Sequence, residues 1–386
     1  MALRTAKLRR DFDAAHRLAH EAQVREALTR TELTLALGES LAERAEMARR
    51  VREHALAAYA ARGGAIKLRR HNRISQVLDK MLVRLGSVGQ ALVIARSGVW
   101  RRTTRPLFDL RHMAAYARRG PDPSVSPPAL FDQAWRLAHS PDLAASRMAP
   151  LVHYLVAGFR EHRDPHPLFA EAWYARQNAY ELAATSLSGL EHYVRAGAAR
   201  GSSPHPLFDV AHYLAQGPAL AHGEDPLSHY LREGGRLGLS PHPLFDPAWY
   251  AEQAPEAAGS PSLVHYLEAG SPAGLSPHPL FEPAWYAKTY PQVAESGLEP
   301  LVHYVTIGAF EHRAPSPWFD VVHYLATRAE GLPPGANPLI DYLQGGAWAG
   351  SEARPGFPTS AYLAARPDLV RAGLTPLEHW ARRRGR

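Results

Sequence analysis

Residues 241–277 read PHPLFDPAWYAEQAPEAAGSPSLVHYLEAGSPAGLSP, and this stretch decides the fold. Asp246 is a good N-cap, because its carboxylate can accept the free amide hydrogens of a first helical turn. Pro247 then falls at the first helical position, where its missing N–H costs nothing. Trp249 and Tyr250 follow on the first turn, and Pro255 closes a helix of about two turns. A second helix begins near Pro261–Leu263, presents Leu263, Tyr266 and Leu267 at i, i+3 and i+4, and stops at Gly270. The unit is a short helix–turn–helix.

The same unit recurs along the chain. A phenylalanine returns at Phe131, Phe169, Phe208, Phe245, Phe281, Phe319 and Phe357, at spacings of 38, 39, 37, 36, 38 and 38 residues. The histidine of a P-L-x-H-Y pattern keeps step at His153, His192, His229, His265 and His303, with Asp341 and His379 in the last two copies. One such unit cannot bury its aromatic face alone, so copies must stack on their neighbours. The expected fold is therefore all-α, with seven two-helix copies in an α-solenoid-like array over 129–386. The expected core is one set of rings per copy: Phe131, Trp135 and Tyr154; Phe169, Trp173 and Tyr193; Phe208 and Tyr230; Phe245, Trp249 and Tyr266; Phe281, Trp285 and Tyr304; Phe319 and Tyr342. Each buried ring removes on the order of 150–250 Å² from water.

Outside the array the rules differ. All 33 prolines lie at or after Pro106, and only Phe12, Tyr59 and Trp100 are aromatic before it. Residues 13–62 read as one long helix, or half of a helical hairpin or coiled coil, with a narrow alanine-rich stripe. A second helix is expected over Ile74–Ala95, bent near Gly86 and Gly89. Residues 100–128 read as a transition that ends in a Pro/Ser linker, PDPSVSPP, at 121–128. This gives a basic helical region over 1–120, the linker, and the repeat domain over 129–386.

Charge divides at the same place. Residues 1–120 carry 25 Lys+Arg against 11 Asp+Glu, a balance of +14, and the remainder balances at −7. Arg69, Arg70, Arg73, Lys80, Arg84, Arg96, Arg101 and Arg102 flank the apolar segment MLVRLGSVGQALVIARSGVW at 81–100. Such a segment suits an anionic membrane surface, each nearby cation contributing about 1 kcal/mol. The bland alternative is a solvated face on a packed helix. Nucleic acid is not expected as a partner, because no binding motif or aromatic interleaving accompanies the charge. The longest apolar run, Leu85–Ala95, falls well short of the roughly 20 residues that span a bilayer. The N-terminus has no secretory signal pattern.

Chemistry is sparse. The chain has no cysteine, which excludes disulfides, cysteine-ligated metals and thiol catalysis. Sixteen of the 21 histidines follow residue 130, but they are spaced a repeat apart, which favours structural ring-to-backbone bonds between neighbouring copies over metal ligation. The carboxylates of the L-F-D positions are helix caps rather than a catalytic series, since Ala170 and Pro358 stand in the same place. The tryptophans admit a second reading, a sugar- or peptide-stacking strip. No P-loop, dinucleotide fingerprint or nucleophile elbow is present, and neither a catalytic constellation nor a cofactor is expected.

The stretches SPHPLFDPAWY (240–250), PLVHYLVAG (150–158), PLVHYVTIGAFEHRAPSPWFD (300–320) and LGSVGQALVIARSGVW (85–100) resemble a family of bacterial helical repeats that accompany glycosyltransferases of cell-surface polysaccharide synthesis. The resemblance covers about 80–386. It implies a non-enzymatic scaffold or accessory module of polysaccharide synthesis or export that binds a protein or glycan partner. Its expected location is cytoplasmic, at the periphery of the inner membrane. The alternatives are a partial glycosyltransferase without its catalytic domain, or a general peptide- or glycan-binding solenoid. No catalytic residue of the family carries over, since none of its motifs here belongs to a catalytic domain.

Overall fold

The computed structural model describes Arg50 and residues 81–82, 84–100, 106–125, 127–146, 148–328, 331–333 and 335–384. The helix expected over 13–62 lies outside these residues, as do Arg69, Arg70, Arg73, Lys80, Arg101 and Arg102. The described chain is all-helical, with no strand. It divides into two compact units, with the chain boundary between Pro317 and Trp318.

The first unit holds copies 1 to 5. Copy 4 illustrates the plan: Asp246 caps the helix Pro247–Gln253 by accepting from the amides of Ala248 and Trp249, both at 3.0 Å. Ser262–His265 then starts the second helix, which finishes as a π-turn over Tyr266–Gly270. In copy 2, Ala170 cannot cap, and the side chain of Asp164 accepts from the Glu171 amide instead, at 2.7 Å. Several copies insert a further short helix between the two expected ones, such as Ala179–Thr185 in copy 2 and Gln292–Ser296 in copy 5.

Copies 2 to 6 each bury three rings rather than the set expected; copy 1 buries Phe131 and Tyr154, and copy 7 buries Phe357 with Tyr362 and Trp380 half-buried. In copy 3 the centroids of Phe208 and Tyr213 are 5.3 Å apart, those of Phe208 and Tyr230 5.6 Å, and the two tyrosines meet edge-on at 5.9 Å. The phenylalanines and the second-helix tyrosines of the expected core are all buried. The tryptophans are not: Trp135, Trp173, Trp249 and Trp285 are half-buried, and the ring that enters the core is the next residue, Tyr174, Tyr250 or Tyr286. Helical geometry explains the correction. The first helical residue and the tyrosine three positions later share the inward face, whereas the tryptophan between them is turned about 100° away.

Copies are joined by two repeated bonds. The amide of the cap residue donates to the proline carbonyl at the start of the next copy, as in Asp209 to Pro241 (2.8 Å) and Asp246 to Pro277 (2.9 Å). The second-helix tyrosine accepts an amide hydrogen from the next copy: Leu190 donates to Tyr154, Leu227 to Tyr193 and Leu263 to Tyr230, at 3.2–3.3 Å.

The N-terminal residues are part of this scheme. Pro106–Arg119, read from sequence as a transition, is a helix. Its Tyr116 lies one repeat length before Tyr154 and does the same work, accepting from the Leu151 amide at 3.1 Å while donating to Gln133 at 2.6 Å. The helix thus keeps the register of the second half of a copy. The expected linker is tied down as well, since Gln133 donates to the Asp122 carbonyl at 2.6 Å. Gly86–Ser97 packs on both Pro106–Arg119 and Pro150–Val156. Of the helix expected over Ile74–Ala95, residues 74–80 and 83 lie outside the described residues; the described helix begins at Gly86, whose φ is +70°, and a Cβ on Gly89 would fall 1.8 Å from the Leu82 carbonyl oxygen.

The second unit holds copies 6 and 7, with the same three-ring core in Phe319, Tyr324 and Tyr342. Asp320 caps Val321–Thr327 and donates its amide to Ala353 at 2.9 Å.

Candidate functional site

Most of the repeating histidines are bonded within the fold, His153 excepted. In the P-H-P turns, Nδ1 of His166, His205, His242 and His278 accepts the amide hydrogen of the leucine two residues on, at 2.9–3.2 Å. Burial holds three of these imidazoles neutral, pushing His166 and His242 down to about 4 and His205 to about 3. The second set meets the first-helix tyrosines. The Tyr174 hydroxyl lies 2.7 Å from Nδ1 of His192, whose Nε2 faces Glu181 at 2.6 Å, and Tyr213 lies 2.6 Å from His229. The expectation that ring nitrogens bind a neighbouring copy is corrected: every one of these partners belongs to the same copy.

That tyrosine hydroxyl enters the wall of the second helix. A Cβ on Gly197, Gly234, Gly270, Gly308 or Gly346 would fall 1.9–2.0 Å from it, so only glycine leaves room. The helix widens there into i→i+5 bonds, as in Gly235 N–H to the Tyr230 carbonyl at 2.9 Å. Two copies serve as controls. Copy 1 has His153 and Gly158 but Arg136 in the tyrosine's place, and its helix is α followed by 3₁₀. Copy 7 has Tyr362 and His379 but Arg384 in the glycine's place, and its helix is α throughout. Both tyrosine and glycine are present wherever the π-turn forms. Sequence reasoning missed this tyrosine, although it stands five residues after the phenylalanine in six of the seven copies, whereas the tryptophan occurs in four.

With the histidines accounted for, the open chemistry lies in a groove of about 930 Å³ in the first unit. Copies 1 and 2 supply Trp135, Trp173, Asp164 and Gln177, and copies 4 and 5 supply Leu267, Glu268, Thr306 and Ile307. Trp135 stacks on His139, with centroids 4.3 Å apart. Glu268 has its proton affinity raised by burial and then by the facing Asp132 carboxylate, with His139 opposing. Asp164 is raised by burial despite the Glu171 amide bond. The groove therefore combines two part-exposed indoles with acceptor carboxylates, an amide and a hydroxyl.

Of the basic residues expected on an anionic surface, Arg84 and Arg96 are described, and both are exposed on or beside Gly86–Ser97. On the same pair of packed helices Leu85, Val88, Leu107 and Phe108 are exposed apolar side chains. Among the described residues no group of three or more His, Asp or Glu could hold a metal ion, and no helix is long and apolar enough to cross a membrane. No family model, curated protein or solved structure matches the chain.

Proposed function

We propose that the protein is a non-enzymatic scaffold of cell-surface polysaccharide synthesis or export, and that the groove of copies 1, 2, 4 and 5 holds an uncharged glycan segment. The observation that carries this reading is the pairing of Trp135 and Trp173 with Asp164, Gln177 and Glu268 on one concave surface. Indole faces suit the C–H faces of sugar rings, and carboxylate and amide oxygens accept from hydroxyls that donate in adjacent directions. A groove with an excess of carboxylates disfavours an acidic ligand, which selects neutral sugars. Resemblance to the glycosyltransferase-associated repeats supports the pathway. Oligosaccharides binding in a calorimetric titration, and losing about tenfold in affinity in Trp173→Ala, support the assignment. Binding that is indifferent to Trp135→Ala and Trp173→Ala together removes it.

A second surface supports a second partner. Leu85, Val88, Leu107 and Phe108 stand exposed, with Arg84 next to Leu85 and Arg111 three residues past Phe108 on the same helix, a combination suited to an anionic membrane surface. Co-sedimentation with phosphatidylserine vesicles at low salt, weakened in Leu107→Asp/Phe108→Asp, is the expected result. Absence of the unsubstituted chain from the vesicle pellet removes this partner.

A further inference from the structure

We propose that the second unit carries a separate site for an acidic glycan, built from Arg354, Arg384, Trp318 and Trp380. Each of these four residues marks a place where copy 6 or 7 departs from the repeat. Trp318 stands where copies 2 to 5 have a buried leucine, as at Leu207, and Arg354 stands where the P-H-P histidine falls. Trp380 takes the place of the second-helix tyrosine, and Arg384 that of the glycine beneath the tyrosine hydroxyl.

Folding brings all four together. The indoles of Trp318 and Trp380 meet edge-on at 5.5 Å. The Arg384 guanidinium lies 4.0 Å from the Trp318 centroid and 5.3 Å from that of Trp380, and Arg354 lies 4.5 Å from Trp380. Both cations sit over the same ring, so they are within about 10 Å of each other. Among the described residues neither forms an ion pair, and Nε of Arg354 is buried with no hydrogen-bond partner. The carboxylates nearest in sequence are engaged elsewhere: Glu352, two residues before Arg354, faces His323 at 3.1 Å, and Glu378, six before Arg384, caps the helix through Thr375.

Stacking occupies the flat face of a guanidinium and leaves its in-plane N–H edge free, a fork that matches a carboxylate at two points. Two such forks held in place by indoles, with no carboxylate of their own, suit a ligand that carries repeated carboxylates. The indoles are only half-buried, so apolar surface lies beside the donors. A uronic acid polymer offers both features, carboxylates and flat C–H faces. The ligand class rests on the glycan-binding function proposed above, whereas the position and charge preference stand on this unit alone.

The test titrates the full chain with tetragalacturonate, with maltotetraose as the uncharged counterpart and sodium sulfate as the simple anion. The expected result is tetragalacturonate binding that weakens steeply with salt and falls at least about tenfold in Arg354→Gln/Arg384→Gln. Arg384→Gln alone alters an exposed side chain and keeps the test valid should the double variant unfold. Arg384→Lys, which retains charge but not the flat stack, is expected to lose most of the affinity too. Trp173→Ala in the other unit is expected to leave this binding unchanged, so failure of the groove and failure of this site read differently. Tetragalacturonate binding that is absent, equal in the arginine variants, or displaced by sulfate at the same concentration overturns the proposal.

Discussion

Pro106–Asp109 and Pro206–Asp209 are the same four residues, PLFD, with opposite fates. In the first, the segment opens the helix Pro106–Arg119, and Leu107 and Phe108 are 78% and 48% exposed. In the second, Leu207 and Phe208 are both 0% exposed in a tight turn. The difference lies in what flanks them. His205 precedes the second copy, its ring taking the Leu207 amide at 3.1 Å and its carbonyl taking the Phe208 amide at 3.0 Å. Tyr213, five residues past Phe208, covers the ring, whereas the residue five past Phe108 is Met113. In the buried setting an imidazole fixes the turn and a tyrosine closes over the ring, and the exposed setting has neither.

The most forceful way to break the second setting is acid. Protonating Nδ1 removes the acceptor that holds each turn, and His166, His205 and His242 bind protons more weakly in the folded chain than in the unfolded one. Their contribution is present above about pH 6.5 and is lost as pH falls toward 4. At about 1.4 kcal/mol per tenfold change in proton affinity the three together amount to on the order of 10 kcal/mol. Glu171 acts in the opposite sense. Burial raises its carboxyl to about 7, so its contribution is present below about pH 4.5 and is lost as pH rises toward 7. Urea titrations across pH 4–8 are expected to show net loss of stability on the acid side, with a steeper acid loss in Glu171→Gln. Stability unchanged between pH 7 and 4.5 contradicts the role given to the histidines.

Phenylalanine truncation separates the two settings next. Phe208→Ala is expected to cost about 3–5 kcal/mol, and Phe108→Ala less than about 0.5 kcal/mol. Equal shifts in the urea midpoint would mean that the exposed PLFD is buried in solution. Gly234→Ala sharpens the same point from the tyrosine's side, since its Cβ would fall 1.9 Å from the Tyr213 hydroxyl. A loss of about 3 kcal/mol is expected, and Tyr213→Phe/Gly234→Ala should recover part of it. The smallest effect tests copy 1. Arg136 is buried there with Nε and Nη2 unpartnered, as is Nδ1 of His153. Arg136→Tyr is expected to gain about 1–2 kcal/mol and to convert Tyr154–Gly158 into a π-turn. A crystal structure of that variant retaining the α-helix would show that tyrosine and glycine together do not suffice.

Much of this was legible in the residues. The period, the helix caps at Asp132, Asp209, Asp246 and Asp320, and the buried phenylalanines follow from local rules, because capping and turn chemistry depend on neighbours in the chain. The choice between Trp249 and Tyr250 did not. Both are large and adjacent, and only the face that the packed helix turns inward separates them. The helix over Pro106–Arg119 reads as a transition for a related reason: Ala115 stands in the histidine's place, and its register shows only when Tyr116 is seen bonded to Leu151.

By itself, then, the sequence determined that the chain is an all-helical array with a period near 38 residues, since spacing and capping are written into each copy. Tertiary structure alone decided which ring enters the neighbouring helix and where that helix widens. It also decided which indoles remain open to a ligand, and that Trp318, Arg354, Trp380 and Arg384 form one cluster. These are contacts between residues tens of positions apart, and their strength depends on burial and on the space that a missing Cβ leaves, neither of which a linear pattern contains.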